Sequence, residues 1–326
     1  NTKRKISTYI PLSNSMFYKN LTQISTDIDS IDFSQVIKDS SEVNVPHTWN
    51  NLDGQDGGSD YAQIPCSYQI NLDSISNRIT DIKNKKVYIE FCGSNLKTTV
   101  YVNGQKVGCH VGGYAKFRFD ITNYIQNSSK AKQDTTSNLL TVVVDNSNQM
   151  EYYPFYADYT FFGGMYRDVN LVVTNKTSFY MNDYGSKSLY IKPNATTGDV
   201  EINTTISNDD DQNGLKIHYR IFDNTNNLIF SHVTSEIGHG RVTSVINTKI
   251  ENHHLWDGRN DPYLYRLRAD LIYSKSENDE EEEVLDTVES NFGFRTIEIN
   301  YDGFFLNGRK YQLRGVSRHQ DRPNKG

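Results

Sequence analysis

Short segments of alternating apolar and polar residues, separated by turn residues every roughly 8–12 positions, constrain this chain more than any other feature of its sequence. Segments 86–92 and 98–102 alternate with the period of two that places successive side chains on opposite faces of a strand. The second segment runs into Asn103-Gly104, a pair typical of two-residue hairpin turns, and 105–110 is the expected return strand. The pattern therefore predicts antiparallel β-structure.

The same alternation continues along most of the chain and outweighs any helical pattern. Aromatic residues make up 12% of the sequence, with 22 Tyr against 4 Met, and this balance favours strands. The best helical candidate before residue 300 is 31–37, which spans no more than two turns. Further strand-like segments lie at 117–121, 139–144, 169–173, 188–192, 200–206, 215–222, 265–273 and 284–288. We therefore predict an all-β fold.

The strands form two groups, which predicts two β-sandwiches, because short strands with regular turns need a second sheet to bury their apolar faces. The first group occupies 1–175 and the second 176–293; the rhythm of the second resembles an immunoglobulin-like sandwich without its cysteine pair. Residues 294–326 differ, because a hairpin around Asn307-Gly308 precedes the polar run 314–323. Since the sequence stops after that run, we expect the natural chain to continue beyond it.

Charge and hydropathy exclude two classes of partner. The net charge of −6 argues against a nucleic-acid binder, because such proteins hold phosphates with clustered Lys and Arg. No window approaches the ~18 consecutive apolar residues of a membrane-spanning helix, so no membrane partner is expected. The first residues carry no apolar signal core, and we expect a cytoplasmic protein. A removed leader is the alternative, because the sequence does not begin with Met.

Common catalytic and metal-binding motifs are missing from the sequence. It contains no HExxH, GxSxG, P-loop or GxGxxG, so metalloprotease, serine hydrolase and nucleotide-binding functions lack support. Cys66, Cys92 and Cys109 show no CxxC spacing, which indicates neither a zinc site nor a disulfide framework. We expect three reduced thiols and no cofactor in this chain.

One aromatic segment, 156–169, carries residues suited to sugar binding. Asp158 lies among aromatic residues just before Gly163-Gly164. Carbohydrate sites combine an acidic acceptor for hydroxyl protons with aromatic faces for the apolar C–H patches. The alternative is an aromatic loop that packs on a neighbouring domain, with Asp158 capping a turn. The two glycines are interpreted as a turn or a close backbone approach rather than a phosphate site.

A second polar segment, 314–321, lies near the end of the sequence. His319 is flanked there by Arg318 and Gln320. An imidazole in such a setting either contacts a substrate or lies on a polar surface loop, and the residues alone leave both alternatives open.

Several motifs, in order, resemble family 2 glycoside hydrolases. They lie at 45–50 with 53–58, 100–108, 112–122, 162–169, 261–265 and 292–295. The run 314–322 looks like the β-galactosidase branch of that family, since the glucuronidase branch usually carries a Lys-His-Glu-Asp type run at this place. The resemblance covers essentially the whole chain.

The resemblance implies a division of the chain into three parts. Residues 1–175 would be a jelly-roll sugar-binding domain, 176–293 an immunoglobulin-like β-sandwich, and 294–326 the first strand region of a truncated TIM barrel. The acid/base Glu and the nucleophilic Glu of the family would lie beyond residue 326. No catalytic residue is therefore expected within this chain, and we expect the chain alone to be inactive.

The resemblance also implies which residues bind the substrate. Asp158 matches the jelly-roll Asp that contacts galactose hydroxyls and a sodium ion, and Asn44 matches an Asn of the same domain that touches the sugar. His319 matches the first-strand His that binds the galactosyl group, and the adjacent Arg318 joins this candidate set. The full-length enzyme would hydrolyse β-galactosides by a retaining two-step displacement, with Na⁺ and Mg²⁺ as possible ions and as a homo-oligomer.

Three alternatives remain open. A free-standing carbohydrate-binding module would use the same aromatic segment to bind sugar without hydrolysing it. A β-glucuronidase or another exo-β-glycosidase would share the family and differ in substrate. A structural protein built from repeated sandwiches would show a shared period between its halves, and the two halves of this chain show none.

Overall fold

The protein is described by a computed structural model, and its strands confirm the predicted all-β fold. Among the residues that the structure describes, strands far outnumber helices. The structure describes residues 8–12, 15–53, 61–73, 82–128, 138–147, 160–274, 282–318 and 322. They fall into two compact units, one containing 8–173 and one containing 174–317. None of the described helices has the length and hydropathy of a membrane-spanning segment.

The structure describes ten strands and one α-helix in the unit of residues 8–173. The strands are β1 (Thr8–Pro11), β2 (Ser15–Asn20), β3 (Ser41–Asn44), β4 (Pro65–Asn71), β5 (Lys85–Phe91), β6 (Lys97–Val102), β7 (Gln105–Val111), β8 (Phe117–Asp120), β9 (Leu139–Asp145) and β10 (Val169–Asn175). Helix α1 is Thr122–Ser128, and 3₁₀ turns lie at Leu21–Gln23, Ile28–Ser30 and Ile82–Asn84. One sheet has the order β1-β10-β5-β8 and the other β3-β2-β4-β9-β6-β7.

The two sheets of this unit pack face to face, because each carries large apolar side chains on one side. Val87 and Phe91 of β5 and Leu171 of β10 share one buried cluster with Tyr68 of β4 and Val142 of β9. Burying an aliphatic or aromatic side chain of this size contributes roughly 1.5–3 kcal/mol. The result is a β-sandwich, which confirms the predicted jelly-roll fold class.

The weak helical candidate 31–37 forms turns rather than a helix. Phe33 is buried on the outer face of the six-stranded sheet, where it packs with Tyr101 of β6 and Val143 of β9. The backbone N–H of Ile37 donates to Gln69 Oε1 at 2.9 Å instead of entering a helical ladder. The apolar spacing of this segment therefore comes from covering a sheet. Helix α1, at seven residues, is too short to leave a helical period in the sequence.

The structure describes eleven strands in the unit of residues 174–317. They are β11 (Thr177–Phe179), β12 (Leu189–Pro193), β13 (Asp199–Asn208), β14 (Leu215–Phe222), β15 (Leu228–Val233), β16 (Gly240–Lys249), β17 (Tyr265–Tyr273), β18 (Glu283–Phe292), β19 (Ile297–Asn300), β20 (Gly303–Leu306) and β21 (Arg309–Lys310). One sheet pairs β13 with β11, β12 and β16, and a second has the order β15-β14-β17-β18. Strands β19, β20 and β21 form a third, smaller sheet.

The two larger sheets of this unit enclose one apolar core. Strand β14 alternates between buried and half-buried residues along its whole length, as the sequence predicts. Its inward residues Ile217 and Tyr219 share the core with Ile202 of β13, Leu267 of β17 and Val288 of β18. This second sandwich confirms the predicted immunoglobulin-like fold class. The domain boundaries themselves, and the assignment of 294–326 to a barrel, stay predictions.

The hairpin predicted around Asn307-Gly308 joins β20 to β21. Both turn residues have positive φ, 51° and 74°, which Asn and Gly adopt most readily. The Asn307 side chain also fixes the hairpin to the rest of the unit. Its Nδ2 donates to the carbonyl of Trp256 at 3.0 Å, and its Oδ1 accepts from the N–H of Thr296 at 3.0 Å.

Candidate functional site

The structure describes two of the four predicted site residues. Asp158 and His319 lie outside the described residues, so their predicted proximity stays a prediction. Asn44 is the last residue of β3, at the edge of the six-stranded sheet and opposite Ser15, and it is exposed. Arg318 is also exposed and groups with the unit of residues 8–173. The described segment that follows Asp158 begins at residue 160, and the candidate site is built from there.

The segment that follows Asp158 is irregular, yet its backbone is held at several points by hydrogen bonds. Gly164 and Asn95 exchange two backbone bonds, at 3.0 and 3.1 Å, and form an isolated bridge. The Nδ2 of Asn95 donates to the carbonyl of Phe162 at 3.2 Å, and the N–H of His47 donates to the carbonyl of Met165 at 2.8 Å. Buried backbone groups need such partners, so this segment is fixed although it is not a strand.

The Asn50 side chain makes the most hydrogen bonds in the set of buried contacts, here called the support, that holds this irregular segment. It is fully buried, and its Oδ1 accepts from the N–H of Gly163 at 2.8 Å and from Nδ2 of Asn146 at 3.3 Å. Its Nδ2 donates to Asp53 Oδ2 at 2.9 Å and to the carbonyl of Ala62 at 3.0 Å. An amide carries both donors and an acceptor, which lets one side chain join three separate parts of the chain.

The two glycines permit a close approach between backbone and aromatic rings, as the sequence predicts. A Cβ on Gly163 would lie 2.4 Å from Cζ2 of Trp49 and 2.6 Å from Nδ2 of Asn146. Gly164 has φ +109°, and a Cβ there would lie 2.7 Å from the Tyr68 hydroxyl. Any larger residue would push the segment off this support.

A second family motif, the run 112–122, meets the same segment. A Cβ on Gly113 would lie 2.5 Å from Asn95 Oδ1, and the hydroxyl of Tyr166 donates to the carbonyl of Gly113 at 2.6 Å. Arg167 donates to the carbonyl of Tyr114 at 3.0 Å. Both ends of the irregular segment are therefore fixed to distant parts of the unit.

Four polar side chains lie together next to Gly164, and burial keeps them neutral. Nδ1 of His47 lies 2.9 Å from the Tyr68 hydroxyl, and the Tyr18 hydroxyl lies 3.1 Å from Sγ of Cys66. Burial lowers the pKa of His47 to about 4 and raises the pKa of Cys66 to about 12. It also raises the pKa of Tyr18 and of Tyr68 above the usual range. None of the four exchanges a proton near pH 7, so they support the segment rather than act as acid or base.

The described residues supply positioning but no metal site. Among them, no group of three or more His, Cys, Asp or Glu side chains is arranged to hold a metal ion. The sodium ligand implied by the resemblance, Asp158, lies outside the described residues. The described residues therefore hold the segment 162–167 in place.

The residues that build this support are not those singled out from the sequence. Asn50, Asn95 and Asn146 hold the segment through contacts far apart in the chain. One signal was available: Asn50 closes the motif 45–50, next to a tryptophan, and Asn146 directly follows strand β9. A polar residue at a strand end is a weak signal by itself, because such positions are common in loops.

Two family models match this chain. The model for the sugar binding domain of glycosyl hydrolases family 2 matches residues 14–175, and the model for glycosyl hydrolases family 2 matches residues 187–295. Together they cover most of the chain, and the first includes the whole support around Gly163. The chain belongs to the glycosyl hydrolases of family 2. This result confirms the resemblance that the ordered motifs carry.

Relatives of this family 2 chain bear two different substrate names. A β-glucuronidase of Bacteroides fragilis is 29% identical over 297 residues, which are 90% of this chain and 40% of that protein. A β-galactosidase of Thermoanaerobacter pseudethanolicus is 36% identical over 250 residues, which are 75% of this chain and 31% of that protein. The structure of a Bacteroides uniformis β-glucuronidase matches with TM-score 0.78 and 26% identity, over 98% of this chain and 36% of that one. The family 2 chain thus spans 31–40% of these relatives, which are glycoside hydrolases.

Proposed function

We propose that this chain is the N-terminal part of a retaining exo-β-glycosidase that hydrolyses terminal β-galactosides. The length of the relatives supports the proposal, because the chain spans less than half of each. The sequence contains no Asn-Glu dipeptide of the kind that carries the family's acid/base residue. On this proposal the catalytic carboxylates lie beyond residue 326, and the 326-residue chain alone hydrolyses nothing.

The role of the chain's own residues is to bind and orient the sugar. In a retaining mechanism one carboxylate attacks the anomeric carbon while a carboxylic acid protonates the departing oxygen, and water then hydrolyses the glycosyl-enzyme. Asp158 would accept hydrogen bonds from sugar hydroxyls, and sodium bound there would neutralise part of its charge. His319 and Arg318 would contact the sugar from the first strand of the barrel, and Asn44 from the first sandwich.

One observation carries this assignment: Phe162 and Gly163, which follow Asp158 in the chain, are held by the buried side chains of Asn95 and Asn50. Binding sites gain affinity and rate when a rigid scaffold holds the contacting groups. The support supplies the rigidity that a binding role would need, and the resemblance to family 2 supplies the role itself.

The test replaces Asp158 in the full-length protein. Asp158→Asn removes the charge of a hydrogen-bond acceptor, and such bonds contribute roughly 1.5–3 kcal/mol, so kcat/KM should fall about tenfold to a hundredfold. The substrate is 4-nitrophenyl β-D-galactopyranoside, measured with and without sodium. Asp39→Asn is the matched control, because Asp39 is exposed and its positive φ of 56° suits Asn. Equal kcat/KM in both variants would contradict the role of Asp158.

The substrate itself has one competing assignment. Some relatives are named β-glucuronidase, which supports a uronic acid substrate, and others are named β-galactosidase, which supports a galactoside. The two sets of names support the two substrates equally. The run 314–322 favours the galactoside. The full-length enzyme should therefore hydrolyse the galactoside with at least tenfold higher kcat/KM than 4-nitrophenyl β-D-glucuronide. The reverse ratio would replace the galactosidase assignment by glucuronidase.

Sugar binding by the 326-residue chain distinguishes a free-standing binding module from the proposed glycosidase fragment. A module would bind galactose through Asp158 in the 326-residue chain, with no need of further polypeptide. The proposed fragment instead needs the rest of the pocket, because one carboxylate alone binds a sugar too weakly to detect. Binding by the chain that is lost in Asp158→Ala would favour the module.

A further inference from the structure

A cavity of about 420 Å³ opens at one end of the sheet β15-β14-β17-β18. Its walls are the turn after β14, the segment before β17 and the end of β18. Strand pairing brings these three walls together, because Phe222 of β14 lies opposite Arg266 of β17, and Arg266 lies opposite Asn291 of β18. The volume lies within the roughly 300–1,000 Å³ of small-molecule sites.

One wall of the cavity carries an aromatic ring, Tyr263, that contacts two neighbouring rings. Tyr263 stacks on His254, with 4.2 Å between ring centroids and 15° between the planes. His254 is itself held, because its Nε2 lies 2.5 Å from Asp261 Oδ2 and its backbone N–H donates to the Tyr265 hydroxyl at 2.8 Å. The Tyr265 ring also contacts Tyr263, with 5.0 Å between centroids and 60° between the planes. A ligand can therefore meet only the part of the Tyr263 ring that His254 and Tyr265 leave uncovered.

A second wall is a turn made rigid by its own side chains. The Asp223 carboxylate accepts bonds from N and Oγ1 of Thr225 at 2.8 and 2.7 Å. It also accepts from N and Nδ2 of Asn227 at 2.8 and 2.9 Å. Asp223 therefore shapes the turn, and little of its hydrogen-bonding capacity remains for a ligand. A preformed wall lowers the entropy lost on binding.

Three side-chain amides supply the remaining polar groups. Asn224, Asn226 and Asn291 line the cavity. Asn226 uses its Oδ1 to accept from Arg266 at 3.1 Å. Within the part of the chain that the structure describes, the amides of Asn224 and Asn291 make no hydrogen bond. An amide offers two donors and one oxygen acceptor, so this set suits a ligand with many hydroxyls.

The charges of the lining favour a neutral ligand. The Arg266 guanidinium lies 4.4 Å from the centroid of the Phe222 ring and donates to Glu289 at 3.3 Å, which balances its charge. Asp223 and Asp261 add two carboxylates to the walls. An anionic sugar would be repelled by them, because like charges within a few ångströms are unfavourable even near a surface.

We propose that this cavity binds a neutral hexopyranose unit of a glycan. The free part of the Tyr263 ring would cover the apolar C–H patch of the sugar, and the three amides would bond its hydroxyls. Such a site would keep a glycan substrate near the protein between reactions. This inference does not depend on the role proposed for Asp158, since it rests on the unit of residues 174–317 alone.

The test titrates the 326-residue chain with three sugars by saturation-transfer NMR. Methyl β-D-galactopyranoside and methyl β-D-glucopyranoside are the neutral probes, and the methyl glucuronide is the anionic one. A ligand of this size in a small open cavity should bind with a Kd on the order of 1 mM. We expect the anionic probe to bind at least about tenfold more weakly. Absence of binding by both neutral sugars, or a preference for the anionic one, would overturn the proposal.

Two variants assign the binding to this cavity. Tyr263→Ala removes the ring and should raise the Kd about fivefold, whereas Tyr263→Phe should leave it within about twofold. Asn291→Trp fills the rim from an exposed position without removing a buried contact, so it tests the site even where Tyr263→Ala lowers stability. Tyr301→Ala is the matched control, because Tyr301 is fully exposed and lies in the turn after β19. Binding unchanged in both Tyr263→Ala and Asn291→Trp would refute the proposal.

A result in the other unit would also count against it. Sugar binding that is lost in Asp158→Ala but kept in Tyr263→Ala would belong to the segment that carries Asp158. Binding that is kept in Asp158→Ala and lost in Asn291→Trp supports the cavity. The two outcomes separate this inference from the proposed function.

Discussion

Two regions of the molecule bury polar side chains for different reasons. In the irregular segment around Gly163, the neutral amide of Asn50 bonds directly to backbone groups. On the outer face of β14 and β17, buried Asp270 instead pairs with Arg220 and Arg268, side chain to side chain. The first region has no strand ladder, and the second lies in the middle of one.

Side chains must satisfy backbone groups wherever a buried segment has no strand ladder. In a ladder each N–H and C=O already has a partner, so outward side chains can pair with one another. A segment without a ladder leaves these groups unpaired, and burying them without a partner costs several kcal/mol. A neutral amide supplies donors and an acceptor without the cost of burying a charge. The irregular segment should therefore be the more sensitive of the two regions to small changes.

Gly163→Ala should cause the greatest loss of stability. The added methyl would lie 2.4 Å from Trp49 and 2.6 Å from Asn146, so ring, amide or backbone must move. Overpacking of this kind costs about 3 kcal/mol at the upper end of its usual range. Urea unfolding, monitored by fluorescence, measures the free energy of unfolding of Gly163→Ala and of the unaltered protein.

Gly238→Ala is the matched control for that change. No heavy atom lies within 4 Å of a Cβ at Gly238, so this substitution should change stability by less than about 0.5 kcal/mol. If Gly163→Ala were as mild as Gly238→Ala, the segment would not be packed as the structure shows.

Asn50→Ala should come next, with a loss of about 2–3 kcal/mol. The substitution leaves the N–H of Gly163 and the carbonyl of Ala62 without this partner in a buried site. Asn291→Ala, an exposed amide in β18, is the control and should cost less than about 0.5 kcal/mol. Thermal unfolding of the two variants side by side measures the difference, and equal midpoints would show that the buried amide is not a support.

Local chemistry made the hairpins and many strands predictable. Asn103 and Gly104 have φ of 52° and 76°, and this left-handed geometry is what the Asn-Gly pair favours wherever it occurs. The predicted strands 215–222 and 265–273 coincide with β14 and β17, because their alternation reports burial on one face. These features depend on neighbours in sequence, so no knowledge of the tertiary fold is needed to predict them.

The support of the candidate site depends on partners far away in the chain. Asn50 and Gly163 are 113 positions apart, and no local pattern links them. The resemblance points to Asn44 as a sugar contact, and nothing in the sequence points to Asn50, six residues later, as the residue that bonds to the segment. The segment 31–37 shows the same limit, because its apolar residues cover the outer face of a sheet rather than one side of a helix.

Asp270→Asn tests the charged region and should cost about 2 kcal/mol. Removing one partner of a fully buried pair costs roughly 3–5 kcal/mol. The Arg220 and Arg268 side chains are 29% and 23% exposed, so water reaches both and lowers that cost. Lys192→Ala breaks the exposed pair with Glu201 and should cost less than about 0.5 kcal/mol. Chemical denaturation of both variants gives the comparison, and a loss in Asp270→Asn above that of Asn50→Ala would reverse the order of the two regions.

The pH dependence of stability should reveal the neutral cluster beside the irregular segment. Burial lowers the pKa of His47 from 6.5 to about 4, so between these pH values the unfolded chain binds more protons than the folded one. Stability is then fully present above pH 6.5 and is lost as pH falls toward 4, by up to about 1.4 kcal/mol per pH unit. Denaturant unfolding at pH 7, 6 and 5 measures this slope.

A variant isolates the contribution of His47 from that of the carboxylates, which titrate over part of the same range. His47→Gln removes the titrating imidazole but supplies an amide that can still bond to the Tyr68 hydroxyl. The free energy of unfolding should therefore depend less steeply on pH between pH 7 and 5. His232→Gln, at an exposed position of β15, should keep the slope of the unaltered protein. An equal slope in His47→Gln and His232→Gln would mean that His47 is protonated as readily in the folded chain as in the unfolded one. Its burial next to Gly164 would then be no part of the support.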